Sequence, residues 1–329
     1  MKKYIFMENH FFKNIRIQNF KSLRDVELED CSRINLFIGK PNVGKSNILE
    51  ALSMFSLKQP KPAGLILFKE LIRIENEIDL FFNGDESQNI TIQADNHRLT
   101  YKYDFQYGLE EKGENLINNE KSSVEVKKYA FQSYNINNLN LVVSSSSNTA
   151  LDIPFGGNLL NVLQRNSRLL NECRDLFKEY GLQLLMDKGT KSLRIAKTNN
   201  NGSDELPIIF TIPYGSVADT LQRIIFYKTA IVTNSDAILL FEEPEAHAFP
   251  PYISLLTQEV INSKTNQFFM TTHSPFVVND FLEEARDALS VFVVGWKNGE
   301  TTVKKLSKEQ LYDVYQYGVD LFFNNETFI

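Results

Sequence analysis

GKPNVGKS, residues 39–46, matches the phosphate-binding pattern G-x-x-x-x-G-K-[ST] at every fixed position. An apolar run, Ile34–Ile38, comes directly before it, and a segment with helical spacing follows. The glycines let the backbone wrap around phosphate oxygens, so that N–H groups and the helix N-terminus face negative charge. A chance Gly-rich junction between strand and helix is the weaker alternative, because both flanking elements are those that the motif requires.

Two side chains of this segment have distinct expected roles. Lys45 is expected to reach the β- and γ-phosphates of a nucleotide, and the Ser46 hydroxyl to ligate Mg²⁺. The sequence therefore predicts a nucleotide-binding protein.

Composition narrows the class of protein. The chain has 329 residues, enough for one large or two ordinary domains, and 43% of them are hydrophobic. No apolar run approaches the length of a membrane span, and polar residues 8–10 interrupt any signal-peptide core, so we expect a cytoplasmic protein without a membrane partner. A net charge of −6 argues against a uniformly basic surface. Cys31 and Cys173 lie far apart and are expected to be reduced.

Local patterns predict an α/β core with an insertion. Three strands are expected before the loop, at Ile15–Phe20, Val26–Leu28 and Ile34–Ile38. A helix follows the loop and ends in the Pro-rich segment 58–64. From about residue 76 to 204 the sequence predicts an inserted β-rich and helical lobe.

Within the insertion, aromatic residues alternate with polar ones. A strand with Leu99, Tyr101, Tyr103, Phe105 and Tyr107 on one face is predicted. These rings could stack on nucleic-acid bases, but packing on a sheet is the commoner outcome. Further predictions are loops at Leu109–Ser123, Ser144–Ser147 and Asn199–Asp204, one helix from Leu159 to about Gly181, and a hairpin with strands at Leu184–Met186 and Leu193–Ala196.

A second buried strand, Ala237–Phe241, ends in two adjacent acids. Carboxylates at the C-terminal end of a strand in an α/β sheet lie where ligands bind. Glu242 suits a Mg²⁺ ligand, and Glu243, pointing elsewhere, suits polarising an attacking water. A solvated acidic turn is the alternative, and the preceding apolar strand disfavours it.

A third apolar strand, Phe268–Met270, leads to Thr271-Thr272-His273-Ser274-Pro275. His273 at that position could donate a hydrogen bond to a γ-phosphate or hold the attacking water. A lone histidine is more often a core or capping residue, and we interpret His247 as such a structural residue.

The order of these motifs resembles that of ABC-type ATPase heads of the OLD, RecF and SMC group, which includes AAA-family proteins of bacterial defence systems. The resemblance covers nearly the whole chain and rests on GKPNVGKS, LLFEEPE and TTHSP. It implies an α/β P-loop fold with a mixed central sheet, an antiparallel β lobe and a helical insertion. It also implies a homodimer in which two heads enclose two ATP molecules with Mg²⁺.

The resemblance assigns a role to each site residue. Catalytic roles fall to Glu243, His273 and Lys45, and metal ligation to Ser46 and Glu242. The signature serine, which would contact the nucleotide of the partner head, would be Ser216, in a turn before a helix that Asp219 or Thr220 could cap. The expected ATP contacts are Gly39, Asn42, Val43, Gly44, Lys45, Ser46, Asn47 and Ser216.

Three features depart from the family pattern. Ala218 stands where the signature normally has glycine, and the metal-ligating acid, Glu242, is normally an aspartate. No glutamine occurs between Phe68 and Phe82, where the Q-loop is expected.

The C-terminal part completes the predicted single head of residues 1–329, with a nucleotide-binding core at 1–58 and 205–306. A strand at Leu289–Val294 and a hairpin turn at residues 297–300 are expected. Ser307 and Gln310 form a capping box for a helix within a C-terminal helical segment, 307–329. OLD nucleases carry a TOPRIM domain after the ATPase; no acidic DxD cluster follows His273, so an ATPase without its own nuclease is expected.

Four functions remain open. The first is an ATP-dependent switch that controls a separately encoded nuclease or toxin in anti-phage defence. The second is a RecF-like DNA-repair clamp, in which case DNA is a partner. The others are a transporter's ATPase subunit, disfavoured by the degenerate signature and long insertion, and a nucleotide-locked scaffold with little turnover.

Overall fold

The structure is a computed structural model that describes residues 11–56, 68, 71–104, 106, 108–115, 126–129, 148–199 and 208–323. The chain forms two compact units. The first contains Met1–Lys128, Ser235–Glu245 and Val260–Ile329, and the second contains Tyr129–Asn234 and Ala246–Glu259. The first unit includes the β-rich part of the stretch 76–204 up to Lys128, and the second unit includes the rest of it.

The described strands are β1 (Ile15–Phe20), β2 (Leu23–Leu28), β3 (Ile34–Ile38), β4 (Ile90–Ala94), β5 (His97–Asp104), β6 (Gly108–Asn115), β7 (Val126–Tyr129), β8 (Leu182–Asp187), β9 (Ser192–Asn199), β10 (Ile208–Pro213), β11 (Ile238–Glu242), β12 (Gln267–Thr271), β13 (Leu289–Lys297) and β14 (Glu300–Lys305). The described α-helices are α1 (Lys45–Ser53), α2 (Leu159–Arg165), α3 (Ser167–Lys178), α4 (Asp219–Val232), α5 (Pro250–Asn262), α6 (Pro275–Glu284) and α7 (Lys308–Tyr317).

A six-stranded mixed sheet, in the order β14-β13-β3-β12-β11-β7, forms the centre of the first unit. Strand β3 runs parallel to both β12 and β13, and β11 runs parallel to β12, whereas β14 is antiparallel to β13. Every residue of β3 is buried, as its continuous apolar run predicts for a strand covered on both faces. The C-terminal ends of β3, β11 and β12 therefore lie along the same edge of the sheet.

A second sheet of the first unit is antiparallel, in the order β2-β1-β4-β5-β6. Its apolar face and one face of α1 share a hydrophobic core with the central sheet, as the alternating pattern of β1 and β4 predicts. Tyr101, in the predicted aromatic stripe, is buried in this core rather than available for stacking on bases. Phe105 and Tyr107 lie outside the described residues.

The second unit contains a three-stranded antiparallel sheet, β10-β9-β8, together with α2, α3 and α4. The hairpin of β8 and β9 confirms the predicted turn near Lys188 and Gly189. In the described part of the chain, no helix is long and apolar enough to span a membrane.

Three local predictions are wrong. The predicted loop at Leu109–Ser123 begins as an edge strand, Gly108–Asn115, which pairs with β5. Hydrogen bonding along β5 compensates for the charged composition of this strand. Residues 116–123 lie outside the described chain. The single helix from Leu159 is two helices, because the backbone leaves helical geometry at Asn166, whose side chain caps α3 by accepting from the Leu169 N–H. Helix α4 has Ala218 at its N-cap, and Asp219 is its first residue.

Other predictions are confirmed. The strand at Leu289 and its hairpin return form β13 and β14, and Ser307 and Gln310 form a reciprocal capping box at the start of α7. Three predicted loops lie outside the described residues: 58–64, Ser144–Ser147 and, except for its first residue, Asn199–Asp204.

Candidate nucleotide-binding site

The phosphate loop leaves the buried end of β3 and enters α1 through two glycines that have no room for a side chain. Gly39 has φ +150°, and a Cβ placed on it would lie 2.2 Å from the carbonyl oxygen of Val294. Gly44, at the N-cap of α1, has φ +101°, and its Cβ would lie 2.2 Å from Thr301 Oγ1. The glycines thus allow the loop to pack against β13 and β14 while its backbone keeps the left-handed geometry of the turn.

A hydroxyl pair supports the loop from outside. Thr301 Oγ1 donates to the carbonyl of Val43 (2.8 Å) and lies 2.7 Å from Ser22 Oγ, which accepts from Asn47 Nδ2 (2.7 Å). The side chain of Asn47, predicted to contact ATP, is therefore bonded to Ser22. Asn42 is exposed in a left-handed conformation (φ 61°) at the tip of the loop.

Lys45 lies inside the loop and is 5% exposed. Its ammonium group donates to the carbonyls of Gly39 (2.9 Å) and Lys40 (2.8 Å). Burial lowers the pKa of Lys45, and the nearby charges of Glu243 and Glu242 act in the opposite direction. A cation in this position faces the space enclosed by the loop, where a phosphate would be attracted to it.

Glu242, the last residue of β11, connects the phosphate loop to a strand that lies two places from β3 in the central sheet. Its Oε1 accepts from the Ser46 hydroxyl (2.5 Å) and from Arg73 Nη2 (2.7 Å). Burial disfavours the charged form, but the Ser46 hydrogen bond and the charges of Lys128 and Arg73 outweigh it, and the pKa of Glu242 is lowered. The carboxylate is therefore ionised at neutral pH.

Ser46 and Glu242 fit the requirements of Mg²⁺. This ion keeps several waters and is typically held by one or two carboxylates and the phosphates of its nucleotide, so a dedicated cluster of protein ligands is unnecessary. In the described chain, no group of three or more His, Cys, Asp and Glu side chains could hold a metal by itself. A hydroxyl and a carboxylate 2.5 Å apart beside the phosphate loop match the first arrangement.

Glu243 and His273 form the other side of the site. Glu243 adopts a left-handed backbone (φ 42°), and its N–H donates to the carbonyl and the hydroxyl of Thr271, both at 3.1 Å. His273 Nε2 lies 3.3 Å from Glu243 Oε1, and each side chain is about 40% exposed. Burial, followed by the charge of Lys45, lowers the pKa of His273, so the ring is neutral at pH 7.

Arg73 is a site residue that the sequence motifs do not predict. It lies in the segment expected to hold the Q-loop, and it bridges Glu242 to Glu50, a completely buried acid on α1 (Arg73 Nε to Glu50 Oε1, 2.9 Å). Lys21 also binds Glu50 and donates to the carbonyl of Arg73 (2.8 Å). The signal in the sequence was the lone arginine between Phe68 and Phe82, where glutamine is absent.

Lys128 is a second missed residue. It is 3% exposed on β7, donates to the carbonyl of Leu71 (2.8 Å), and lies 4.0 Å from Glu242 Oε2. Burial lowers its pKa, and the charges of Glu50 and Glu242 oppose that change. An isolated lysine in a short strand gives no signal in the sequence.

Ser216 belongs to the second unit, whereas every other predicted site residue belongs to the first. It is exposed at the end of the short 3₁₀ turn Tyr214–Ser216, three residues before α4 begins. The Ser216 hydroxyl is therefore exposed to solvent.

The phosphate loop, the acids at the end of β11 and the histidine after β12, on a mixed parallel sheet, define an ABC-type P-loop ATPase head of the RecF and SMC group. The chain belongs to the family described as "AAA domain, putative AbiEii toxin, Type IV TA system", whose model matches residues 34–279. The expected fold class is therefore confirmed.

Similarity to individual proteins is more distant. An ATP/GTP phosphatase of Helicobacter pylori is 20% identical over 80% of this chain and 85% of its own length. An uncharacterized protein of Methanocaldococcus jannaschii is 32% identical over 28% of this chain and 46% of its own length. The DNA replication and repair protein RecF of Clostridioides difficile is 28% identical over 42% of this chain and 32% of its own length. The chain thus spans less than half of two of these relatives.

Solved structures with the same fold are SMC heads. An SMC head bound to the C-terminal winged-helix domain of ScpA has a TM-score of 0.55 at 14% identity, with 92% of this chain and 99% of that chain covered. An SMC head with an extended coiled coil, bound to the C-terminal domain of ScpA from Pyrococcus furiosus, has a TM-score of 0.52 at 12% identity, with 93% and 99% covered. At these identities the likeness concerns the fold.

Proposed function

We propose that this protein is an ATP-hydrolysing switch that dimerises head to head around Mg-ATP and controls a separate effector protein. One observation carries the proposal: Lys45 and Ser46 after β3, Glu242 and Glu243 after β11 and His273 after β12 meet at one edge of the central sheet. These are the groups needed to bind phosphates, ligate Mg²⁺ and activate water. Bound Mg²⁺ would supply charge stabilisation at the β- and γ-phosphate oxygens.

Each side chain has a defined part in the proposed reaction. Lys45 exchanges its two carbonyl partners for phosphate oxygens, and Ser46 and Glu242 hold the metal. The carboxylate of Glu243 orients and deprotonates the attacking water, and neutral His273 orients that carboxylate or the γ-phosphate through Nε2. The 3.3 Å distance from His273 Nε2 to Glu243 Oε1 supports a shared part in water activation.

Phosphate release by the purified chain tests the proposal. Lys45→Ala is expected to abolish ATP binding, measured with a fluorescent ATP analogue, because it removes the buried cation of the loop. Glu243→Gln is expected to bind ATP normally and to lower turnover about 10²-fold or more, as loss of a general base does. Unchanged ATP affinity in Lys45→Ala would exclude the proposal, and unchanged phosphate release in Glu243→Gln would favour a nucleotide-locked scaffold.

The proposal includes a separate effector protein and a role in anti-phage defence. They are supported by the printed description of the family, which refers to a toxin–antitoxin system, and by SMC heads that bind a partner protein, ScpA. Co-expression with the product of the adjacent gene, followed by affinity purification with and without ATP, is the test. Capture of a nuclease or toxin only with ATP supports effector control.

A RecF-like DNA clamp is the second candidate, favoured by the 28% identity to RecF over 141 residues. In that case duplex DNA binds only in the presence of ATP, and the affinity falls as salt concentration rises. If the Glu243→Gln variant with bound ATP does not bind duplex DNA at low salt, the clamp is excluded.

A further inference from the structure

Glu245 lies two residues beyond the proposed water-activating acid, and no motif assigns it a role. It is 7% exposed, and its Oε1 accepts from both the Thr272 hydroxyl (2.6 Å) and the backbone N–H of His273 (3.1 Å). Its other oxygen, Oε2, is buried without a hydrogen-bond partner. A buried carboxylate with one unpaired oxygen costs free energy, so the presence of Glu245 at this position calls for a physical reason.

The two bonds of Glu245 lead directly to the histidine of the site. Thr272 is completely buried, and its hydroxyl accepts from the N–H of Ser274, so Glu245 and Thr272 together bind the backbone on both sides of His273. On the opposite side, the N–H of Glu243 is bonded to Thr271. The ends of β11 and β12 are thus connected by two sets of hydrogen bonds, one before and one at His273.

We propose that Glu245 is a positioning residue, which holds the backbone of His273 so that the imidazole meets Glu243 at the reacting phosphate. The inference rests on the proposed function for its catalytic consequence, whereas the hydrogen bonds of Glu245 to Thr272 and His273 are observed directly. Without Glu245, the N–H of His273 and the hydroxyl of Thr272 lose their common acceptor, and the ring is free to move away from Glu243. A displacement of about 1 Å is enough to lower turnover up to about 10²-fold.

Glutamine is the conservative replacement for this residue. Burial raises the pKa of Glu245, and the Thr272 hydrogen bond opposes that shift, so a neutral side chain is compatible with the site. Glutamine keeps an acceptor in the place of Oε1, whereas alanine removes it. The matched substitutions at the other end of the bond are Thr272→Ser, which keeps the hydroxyl, and Thr272→Val, which removes it.

Hydrogen exchange and steady-state kinetics together test the inference. In Glu245→Ala and Thr272→Val, amide exchange of the peptide 271–275 is expected to accelerate at least tenfold without nucleotide, and kcat for ATP to fall about 10- to 100-fold with little change in KM. Glu245→Gln and Thr272→Ser are expected to stay within about threefold of wild type in both measurements. Glu283→Ala, which removes an exposed acid from α6, controls for charge and is expected to change neither.

The outcomes separate this inference from the proposed function. If Glu245→Ala and Thr272→Val show faster amide exchange but an unchanged kcat, the positioning role is overturned. It is also overturned if Glu245→Gln and Glu245→Ala lose the same kcat while both retain the wild-type melting temperature. An unfolded Glu245→Ala leaves Thr272→Val as the deciding variant, because it removes the hydrogen bond that holds the Glu245 carboxylate and the acceptor of the Ser274 N–H. A wild-type chain that does not hydrolyse ATP refutes the proposed function, whereas the exchange measurement still shows whether Glu245 holds His273.

Discussion

Glu242 Oε1 accepts hydrogen bonds from a serine hydroxyl and from an arginine, and the same oxygen is the proposed metal ligand. Arg73 would therefore compete with Mg²⁺ for it. We expect Arg73→Ala to lower the Mg²⁺ concentration needed for half-maximal binding of an ATP analogue about two- to fivefold, the size expected for a partly exposed ion pair. Titration of fluorescence against Mg²⁺ measures the effect.

Arg73→Lys is the matched control, since it keeps the positive charge and is expected to remain close to wild type. A higher Mg²⁺ requirement in Arg73→Ala would contradict competition, and would instead indicate that Arg73 binds the nucleotide phosphates. Both variants keep Lys21 as a partner of the buried Glu50, so the acid is not left uncompensated.

The element formed by β3, the phosphate loop and α1 depends on contacts with β14. Gly44→Ala would combine an unfavourable φ with an overlap between Cβ and the side chains of Thr301 and Ser22. We expect it to lower the free energy of unfolding by about 1–3 kcal/mol and to weaken ATP binding more than tenfold, because the loop must move. Urea unfolding and binding of the ATP analogue measure the two effects.

Gly299→Ala is the control for backbone strain alone. Gly299 has φ +82° and has nothing within 4 Å of its Cβ position, so its replacement is expected to reduce stability without changing ATP affinity. Wild-type ATP affinity in Gly44→Ala would show that the loop tolerates displacement from β14.

At the scale of the whole molecule, the proposed head-to-head arrangement predicts ATP-dependent dimerisation. Ser216 is exposed in the second unit, as a contact to a partner's nucleotide requires. We expect Glu243→Gln to double its mass in light scattering when Mg-ATP is added, because hydrolysis no longer releases the dimer. Adding Ser216→Arg is expected to leave it monomeric at 37.9 kDa, since a bulky cation replaces the small hydroxyl.

Ser254→Arg, at another exposed position of the second unit, is the matched control and is expected to leave ATP-dependent dimerisation unchanged. A Glu243→Gln chain that remains monomeric at saturating ATP would contradict the head-to-head arrangement. Loss of the dimer in both arginine variants would show a general charge effect instead of a role for Ser216.

The sequence by itself determined the fold class and the order of the central motifs. The phosphate loop and the acids after β11 are contiguous signals, because each depends on a strand end and the few residues that follow. The apolar runs of β3 and β12 predict that these strands are buried, and both are. Local reading failed at Asn166 and at β6, where a side-chain cap and pairing with a neighbouring strand outweighed local composition.

Only the tertiary structure decided what surrounds the motifs. Glu50 looks like a solvent-facing acid on a helix, yet it is buried between Lys21 and Arg73. Glu245 reaches the N–H of His273 across 28 positions of the chain, and Arg73 reaches Glu242 across 169. The partners of these charged residues have no local signature, since they are set by how the strands are ordered in the sheet. The chain therefore specifies its motifs through neighbouring residues and its charge network through long-range packing.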